Sequence, residues 1–166
     1  GFCTADYMTW KPLTWVILLL VMLTGASAGS TSGGIKMIRV VISAKACYYE
    51  FKRLIHPNAV IPVGYNGHLV REDILTRVLA FTLLYLVVAA FGILVLAMSG
   101  MGFLESVGGL ITCLGGVGPG LGLVGPAGNF HDIPEFSKWF LSLMMLAGRL
   151  ELYTIFLLFT PAFWKR

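Results

Sequence analysis

A glycine-rich stretch in the second half of the chain, CLGGVGPGLGLVGPAG at residues 113–128, most limits how this sequence can fold. Seven of the fourteen residues from Gly115 onward are glycine. Glycine costs about 1 kcal/mol relative to alanine inside a helix, and Pro119 lacks a backbone donor, so a regular helix or strand does not suit this composition. The stretch therefore predicts irregular backbone.

The rest of the chain is strongly apolar. Hydrophobic residues make up 57% and charged residues 12% of the sequence, and the mean hydropathy is +0.84. Such values are typical of an integral membrane protein and exclude a soluble enzyme. At membrane depth, irregular backbone is tolerated only where protein buries it or where it lines a water-filled path. There, rings of backbone carbonyls can replace the hydration shell of an ion.

The sequence holds no convincing catalytic or cofactor-binding group. Cys3, Cys47 and Cys113 are odd in number, widely spaced and outside any CxxC motif, which argues against a disulfide framework and a metal centre. The segment GSTSGGIK departs from a phosphate-binding loop, because an isoleucine separates its glycines from Lys36 and no Ser or Thr follows. We therefore expect a protein that is not an enzyme and has no organic cofactor.

The first half of the chain contains an apolar run, residues 12–23, that is too short to span a bilayer. At about 1.5 Å per residue it covers roughly 18 Å, whereas a bilayer core needs about 20 residues. A loop of small residues, 25–36, follows it. This pattern predicts a re-entrant helix, a loop and then a partly polar helix over residues 35–55, which the small-residue patch 43–46 could interrupt.

The connection between the halves, residues 56–73, is rich in proline and glycine, and its Asn66-Gly67 pair predicts a hairpin turn outside the membrane. Seven of the twelve Lys and Arg residues lie within residues 36–77, and two more close the chain. By the positive-inside rule, residues 36–77 and the C-terminus are predicted to be cytoplasmic. Basic residues in such a loop do not indicate a nucleic-acid partner.

The second half repeats the pattern of the first with a spanning helix in front. Residues 74–98 are the clearest transmembrane segment, because the last 21 of them carry no charge. A short apolar run at residues 103–114 leads into the glycine-rich stretch. A final span at residues 139–164 is interrupted by Arg149 and Glu151. Internal repeats of this kind are a common way to build transport pathways.

Four stretches resemble the membrane subunit of Trk-type potassium uptake systems, in the Trk/Ktr/HKT superfamily: GASAGSTSGGIK, the His-Pro connection, GGVGPGLGLVGPAG and GRLELYTIFLLFTPAFW. The resemblance covers essentially the whole chain. It implies an all-α membrane protein with four potassium-channel-like units of helix, re-entrant pore loop and helix, arranged pseudo-fourfold around one potassium path. We expect this chain to be a fragment: the end of the third unit (residues 1–55), a cytoplasmic connection (56–73) and the whole fourth unit (74–166).

The resemblance also implies one filter segment per unit, in which backbone carbonyls bind K⁺ around a central glycine. That glycine would be Gly25 in the third unit and Gly118 in the fourth. Many members of the family carry asparagines just before the fourth segment, where this chain has two glycines. The implied potassium-binding residues are Thr24, Gly25 and Ala26 in the third unit and Gly116, Val117 and Gly118 in the fourth.

Arg149 lies near the centre of the last span, where a buried cation costs at least about 2.5–3.5 kcal/mol unless it faces water or a partner. Glu151 is two positions away and does not share its helix face. The resemblance implies that Arg149 is a gating residue, a positive barrier in the ion path below the filter. An ion pair with a neighbouring helix is the alternative interpretation.

The sequence and the resemblance together predict potassium uptake across a bacterial inner membrane, either down the electrochemical gradient or as symport with a coupled ion. The implied partners are the lipid membrane, a second copy of the membrane subunit in a homodimer, and a cytosolic nucleotide-binding regulatory subunit with RCK domains. Two alternatives stay open: a secondary transporter of another small cation or solute with a glycine-broken midplane site, and a structural subunit whose glycines only pack.

Overall fold

The computed structural model describes residues 1–57, 59 and 61–164, and within them the protein is helical. The predicted hairpin is confirmed: β1 (Gly64–Tyr65) and β2 (His68–Leu69) pair antiparallel around a turn with positive φ at both central residues. The C-terminal Lys165 and Arg166, predicted to be cytoplasmic, lie outside the described residues.

The α-helices, in chain order, are α1 (Pro12–Thr24), α2 (Met37–Ile55), α3 (Glu72–Met98), α4 (Phe103–Gly115), α5 (Glu135–Arg149), α6 (Leu152–Leu158) and α7 (Pro161–Trp164).

Within the described residues, α3 is the one helix that is long and apolar enough to cross a membrane by itself. Its 27 residues extend about 40 Å at about 1.5 Å per residue. Leu83, Phe91 and Leu94 are exposed along it, as expected for a helix with a lipid-facing side. The spanning helix predicted at residues 74–98 is confirmed.

The last apolar segment is broken. α5 ends at Arg149, α6 begins at Leu152, and the two helices are bent by 112° relative to each other. Glu151, between them, has a φ of +62°, in the left-handed region. Taken together, the bent pair is long and apolar enough for one span. The interruption predicted at Arg149 and Glu151 is therefore present.

α2 continues without interruption, so the prediction that residues 43–46 could interrupt this helix is wrong. This patch contains neither glycine nor proline, and serine, alanine and lysine are tolerated inside a helix. The chain is interrupted earlier, between α1 and α2. We call residues 25–36, which join these helices, the α1–α2 loop.

α4 lies at the centre of the described structure. It contacts α1, α3 and α5, and all of residues 108–115 are buried. Leu110 and Leu114 are completely buried and belong to the main hydrophobic core, together with residues of α3 and α5. Because α4 is surrounded by protein, the loop that follows it is held on a rigid support.

Replacing Gly108 by alanine is expected to lower the stability of the protein. A Cβ at Gly108 would lie 2.6 Å from the Leu121 Cβ, and overpacking of this kind costs about 1–3 kcal/mol. Gly109→Ala is the matched control, because a Cβ there has its nearest contact at 3.6 Å, with Val124. Thermal unfolding of the full-length protein in detergent should show a lower Tm for Gly108→Ala only. Equal Tm values for the two variants would contradict this packing.

Candidate ion-binding site

The backbone N–H groups of the three residues that follow α4 all donate hydrogen bonds to the last turn of that helix. Gly116 takes a left-handed φ of +67°. The Gly116 N–H donates to the Cys113 carbonyl at 3.2 Å, and the Val117 N–H donates to the Thr112 carbonyl at 3.0 Å. The Gly118 N–H donates to the Thr112 hydroxyl at 3.0 Å. We call residues 116–118 the filter loop, since they coincide with the fourth predicted filter segment.

The carbonyls of the filter loop accept no hydrogen bond from any described residue. Gly116 and Gly118 are exposed. Three adjacent carbonyls that are accessible and have no partner among the described residues are suited to bind a cation. The carbonyls on either side of the filter loop, in contrast, accept hydrogen bonds from side chains. The Gly115 carbonyl accepts from Ser32 Oγ at 3.3 Å. The Pro119 carbonyl accepts from Thr112 Oγ1 at 3.0 Å, and the Gly120 carbonyl from the Tyr7 hydroxyl at 2.5 Å.

The electrostatics of α4 favour a cation at the same place. The C-terminal end of a helix carries a partial negative charge, and α4 ends immediately before the filter loop. Among the described residues, no group of three His, Cys, Asp or Glu side chains is placed to hold a metal ion. The oxygens available to a cation here are therefore those of the backbone.

Gly118 differs from the glycines that allow close helix packing. A Cβ on Gly148 of α5 would lie 2.8 Å from the carbonyl carbon of Leu114, so glycine there lets two helices approach. A Cβ on Gly118 would meet only the Gly1 Cα, at 3.4 Å. The φ of Gly118 is +120°, a conformation that residues with a side chain rarely adopt. Backbone conformation, rather than packing, is thus what requires glycine at position 118.

The N-terminal segment lies against the filter loop. A Cβ on Gly1 would lie 3.3 Å from the Val117 carbonyl oxygen and 3.8 Å from the Gly118 Cα. Tyr7 fixes this segment, since its buried hydroxyl reaches the backbone just beyond the filter loop. The Trp15 indole N–H, from α1, donates to the Tyr7 carbonyl at 2.9 Å. The structure thus brings Gly1 next to Gly118.

Thr24, Gly25 and Ala26 are predicted to form the third filter segment, but a Cβ on Gly118 would meet Gly1 and none of these three residues. Thr24 ends α1, and Gly25 has a φ of +67°. A Cβ on Gly25 would lie 2.9 Å from the Gly33 carbonyl oxygen, within the α1–α2 loop itself. The Ala26 carbonyl accepts a hydrogen bond at 3.0 Å from the first N–H of α2. The role of these three residues stays a prediction.

The α1–α2 loop packs between the end of α4 and the break in the last span. A Cβ on Gly33 would lie 2.7 Å from the Leu114 carbonyl oxygen, so the two backbones touch. On its other side, Arg149 Nη1 donates to the Thr31 carbonyl. Among the described residues, no carboxylate pairs with Arg149. Within the described residues, Arg149 therefore does not form the ion pair with a neighbouring helix that was the alternative interpretation of this residue.

One carboxylate connects the two interruptions of the helices. Lys36 Nζ lies 3.2 Å from Glu151 Oε1, and Arg39 Nη2 lies 3.4 Å from the same oxygen. Lys36 directly precedes α2 and Glu151 directly precedes α6, and both have positive φ, +70° and +62°. The Arg39 guanidinium also lies 3.9 Å from the ring centre of Phe81 in α3. This cluster ties α2, α3 and α6 together.

A cavity of about 240 Å³ lies where the α1–α2 loop meets the broken last span. Its charged lining consists of three cations and one carboxylate, so the cavity wall carries a positive excess. A positive excess of this kind disfavours a cation in the cavity. The charged residues that line the cavity are Lys36, Arg39, Arg149 and Glu151.

Sequence reasoning missed Tyr7, Thr112 and the partners of Glu151. Thr112 gives a weak signal, because a hydroxyl within the last turn of a helix that runs into a glycine loop can reach that loop. Tyr7 gives none, because its acceptor lies 113 residues away in the sequence. The same holds for Glu151, whose partner Lys36 is 115 residues away.

A short buried helix that ends in a carbonyl loop, followed by a broken inner helix, defines a membrane protein of the helix, pore loop and helix class. The family model described as TrkH, cation transport protein, matches residues 1–166. The chain belongs to this family of membrane cation transport proteins, which confirms the predicted resemblance.

The chain is similar to several Trk system proteins. It is 36% identical over 167 residues to the Trk system potassium uptake protein TrkI of Halomonas elongata and 38% identical over 165 residues to TrkH of Escherichia coli. It matches the crystal structure of the potassium transporter TrkH from Vibrio parahaemolyticus with a TM-score of 0.90 and 36% identity, over 99% of this chain and 35% of that chain. The chain, matched over 99–100% of its own residues, spans 34% of the length of the two curated relatives.

Proposed function

We propose that the full-length protein takes up K⁺ across the membrane through a path lined by the carbonyls of Gly116, Val117 and Gly118. The observation that carries this proposal is the orientation of the filter loop: every N–H is bonded to α4, and no described residue donates a hydrogen bond to its carbonyls. A dehydrated potassium ion needs several oxygens at once, and glycine carbonyls supply them without an obstructing side chain.

One such loop lines only one side of a path. The chain covers 34% of its relatives' length, so most of the path would be lined by parts of the full-length protein outside these residues. Following the resemblance, we assign residues 1–55 to the third unit and 74–166 to the fourth. The contact of Gly1 with Gly118 supports a contribution from the N-terminal segment to the same path. The bonded carbonyl of Ala26 favours this arrangement over the predicted segment Thr24, Gly25 and Ala26.

In this proposal, the α1–α2 loop and Arg149 form a constriction below the filter loop. The loop touches the end of α4 through Gly33, and Arg149 donates to its Thr31 carbonyl. The positive excess around the adjoining cavity supports the role of Arg149 as an electrostatic barrier.

The distribution of charge supports an orientation in the bacterial inner membrane with residues 36–77 and the C-terminus on the cytoplasmic side. The exposed basic end of α2, with Lys52 and Arg53, then faces the cytosol. This face would dock a nucleotide-binding regulatory subunit with RCK domains, and a second membrane subunit would complete a homodimer. K⁺ moves down its gradient or together with a coupled ion.

Ion competition in lipid vesicles that contain the full-length protein tests this function. Uptake of radioactive rubidium, a potassium substitute, should exceed that of empty vesicles. We expect K⁺ to block it at concentrations about tenfold lower than Na⁺ does, which corresponds to about 1.4 kcal/mol of preference. Equal block by both ions, or no uptake above empty vesicles, would contradict the proposal.

A further inference from the structure

The hydroxyl of Thr112 makes two hydrogen bonds to the backbone around the Gly118 carbonyl. It accepts from the Gly118 N–H at 3.0 Å and donates to the Pro119 carbonyl at 3.0 Å. The Gly118 carbonyl lies between these two bonded groups in the chain. Thr112 is completely buried in α4, so water does not replace either bond. A single buried side chain thus fixes both sides of this carbonyl.

Both bonds require a hydroxyl. A hydroxyl donates one hydrogen bond and accepts others, whereas the methyl groups of valine do neither, although valine has the same shape. Pro119 has no N–H of its own to fix the loop, and the Tyr7 hydroxyl holds only the next carbonyl, that of Gly120. Without the Thr112 hydroxyl, the peptide that carries the Gly118 carbonyl loses its attachment to α4.

We propose that Thr112 is a positioning residue that sets the discrimination between K⁺ and Na⁺. The inference rests on the proposed function, because it requires the carbonyls of residues 116–118 to face the ion path. A loop held at a fixed spacing suits the larger K⁺, whereas a loop that moves freely can close around the smaller Na⁺. Removal of the hydroxyl therefore lowers selectivity as well as stability.

The test measures the ratio of K⁺ to Na⁺ uptake in vesicles that contain equal amounts of full-length protein. Thr112→Val, which removes both hydrogen bonds, is expected to lower this ratio by at least roughly threefold to tenfold, the range that corresponds to loss of a single hydrogen bond. Thr112→Ser, which keeps the hydroxyl, should restore the parent ratio. If the valine variant does not reach the vesicles, Thr112→Ala also removes the hydroxyl and provides the same measurement.

Ser106→Ala is the matched control. Ser106 is also completely buried in α4, but its hydroxyl donates to the Gly102 carbonyl at 2.9 Å, away from the filter loop. Its loss should leave the uptake ratio unchanged. An unchanged ratio in Thr112→Val, or an equal fall in Ser106→Ala, would overturn the role of Thr112 while the parent protein still prefers K⁺. A parent protein without that preference would instead overturn the proposed function.

Discussion

Replacing Gly118 by alanine in the full-length protein is expected to abolish potassium-selective uptake. The φ of +120° at this residue costs an alanine about 1–3 kcal/mol of strain. The peptide can relieve this strain by rotating, which turns its carbonyl away from the path. We expect uptake to fall about tenfold or more. The measurement is growth at low potassium, together with ion uptake, in cells that lack their own potassium uptake systems.

Gly67→Ala separates this effect from backbone strain in general. Gly67 has a φ of +78° in the turn between β1 and β2, and a Cβ there meets nothing within 4 Å. The variant introduces comparable strain far from the filter loop, so uptake should stay at the parent level. Normal, selective uptake by Gly118→Ala at equal membrane abundance would show that the Gly118 carbonyl does not bind the ion, and the filter assignment would be withdrawn.

Replacing Arg149 by glutamine is expected to raise the rate of potassium uptake. Two unit charges 4 Å apart repel by about 1 kcal/mol in water and about 4 kcal/mol at an effective dielectric constant of 20, so removal of the charge should speed passage at least about fivefold. Glutamine keeps an N–H donor for the Thr31 carbonyl, and the substitution therefore changes the charge more than the hydrogen bond. Initial uptake rates in the same cells provide the measurement.

Two further variants serve as controls for Arg149. Arg149→Lys keeps the positive charge and should transport at the parent rate. Arg71→Ser removes a charge just before α3, from an exposed pair with Asp73 in the first turn of that helix, and should also leave the rate unchanged. A slower or unchanged rate in Arg149→Gln, at equal membrane abundance, would assign Arg149 a structural role in place of the barrier.

Hydrophobic length was sufficient to predict α3 and α4 from the sequence. Crossing a bilayer requires about 20 apolar residues, which residues 74–98 provide and residues 103–114 do not. The break near Glu151 could also be predicted, because charged residues interrupt an otherwise apolar run there. These features depend on local composition, which the sequence displays directly.

Composition does not show what a short apolar helix packs against. α1 and α4 are both 13 residues long, apolar and followed by a glycine loop. Their surroundings differ: the loop after α4 meets Gly1, whereas the loop after α1 meets the end of α4 at Leu114. Such contacts join residues far apart in the chain, so the placement of Gly25 relative to Gly118 could not be predicted.

The ion pair between Lys36 and Glu151 has a mechanical consequence. Lys36 ends the α1–α2 loop, and Glu151 lies in the break of the last inner helix, so displacement of the loop either separates the pair or moves α6 with it. Separation leaves Lys36 without its carboxylate and Glu151 with one cation, Arg39, in place of two, which favours joint movement. A force applied by a cytosolic partner to α2 or to α6 would then reach the constriction through the same pair. We therefore expect α2 and α6 to move in one concerted step, whichever of them receives the signal.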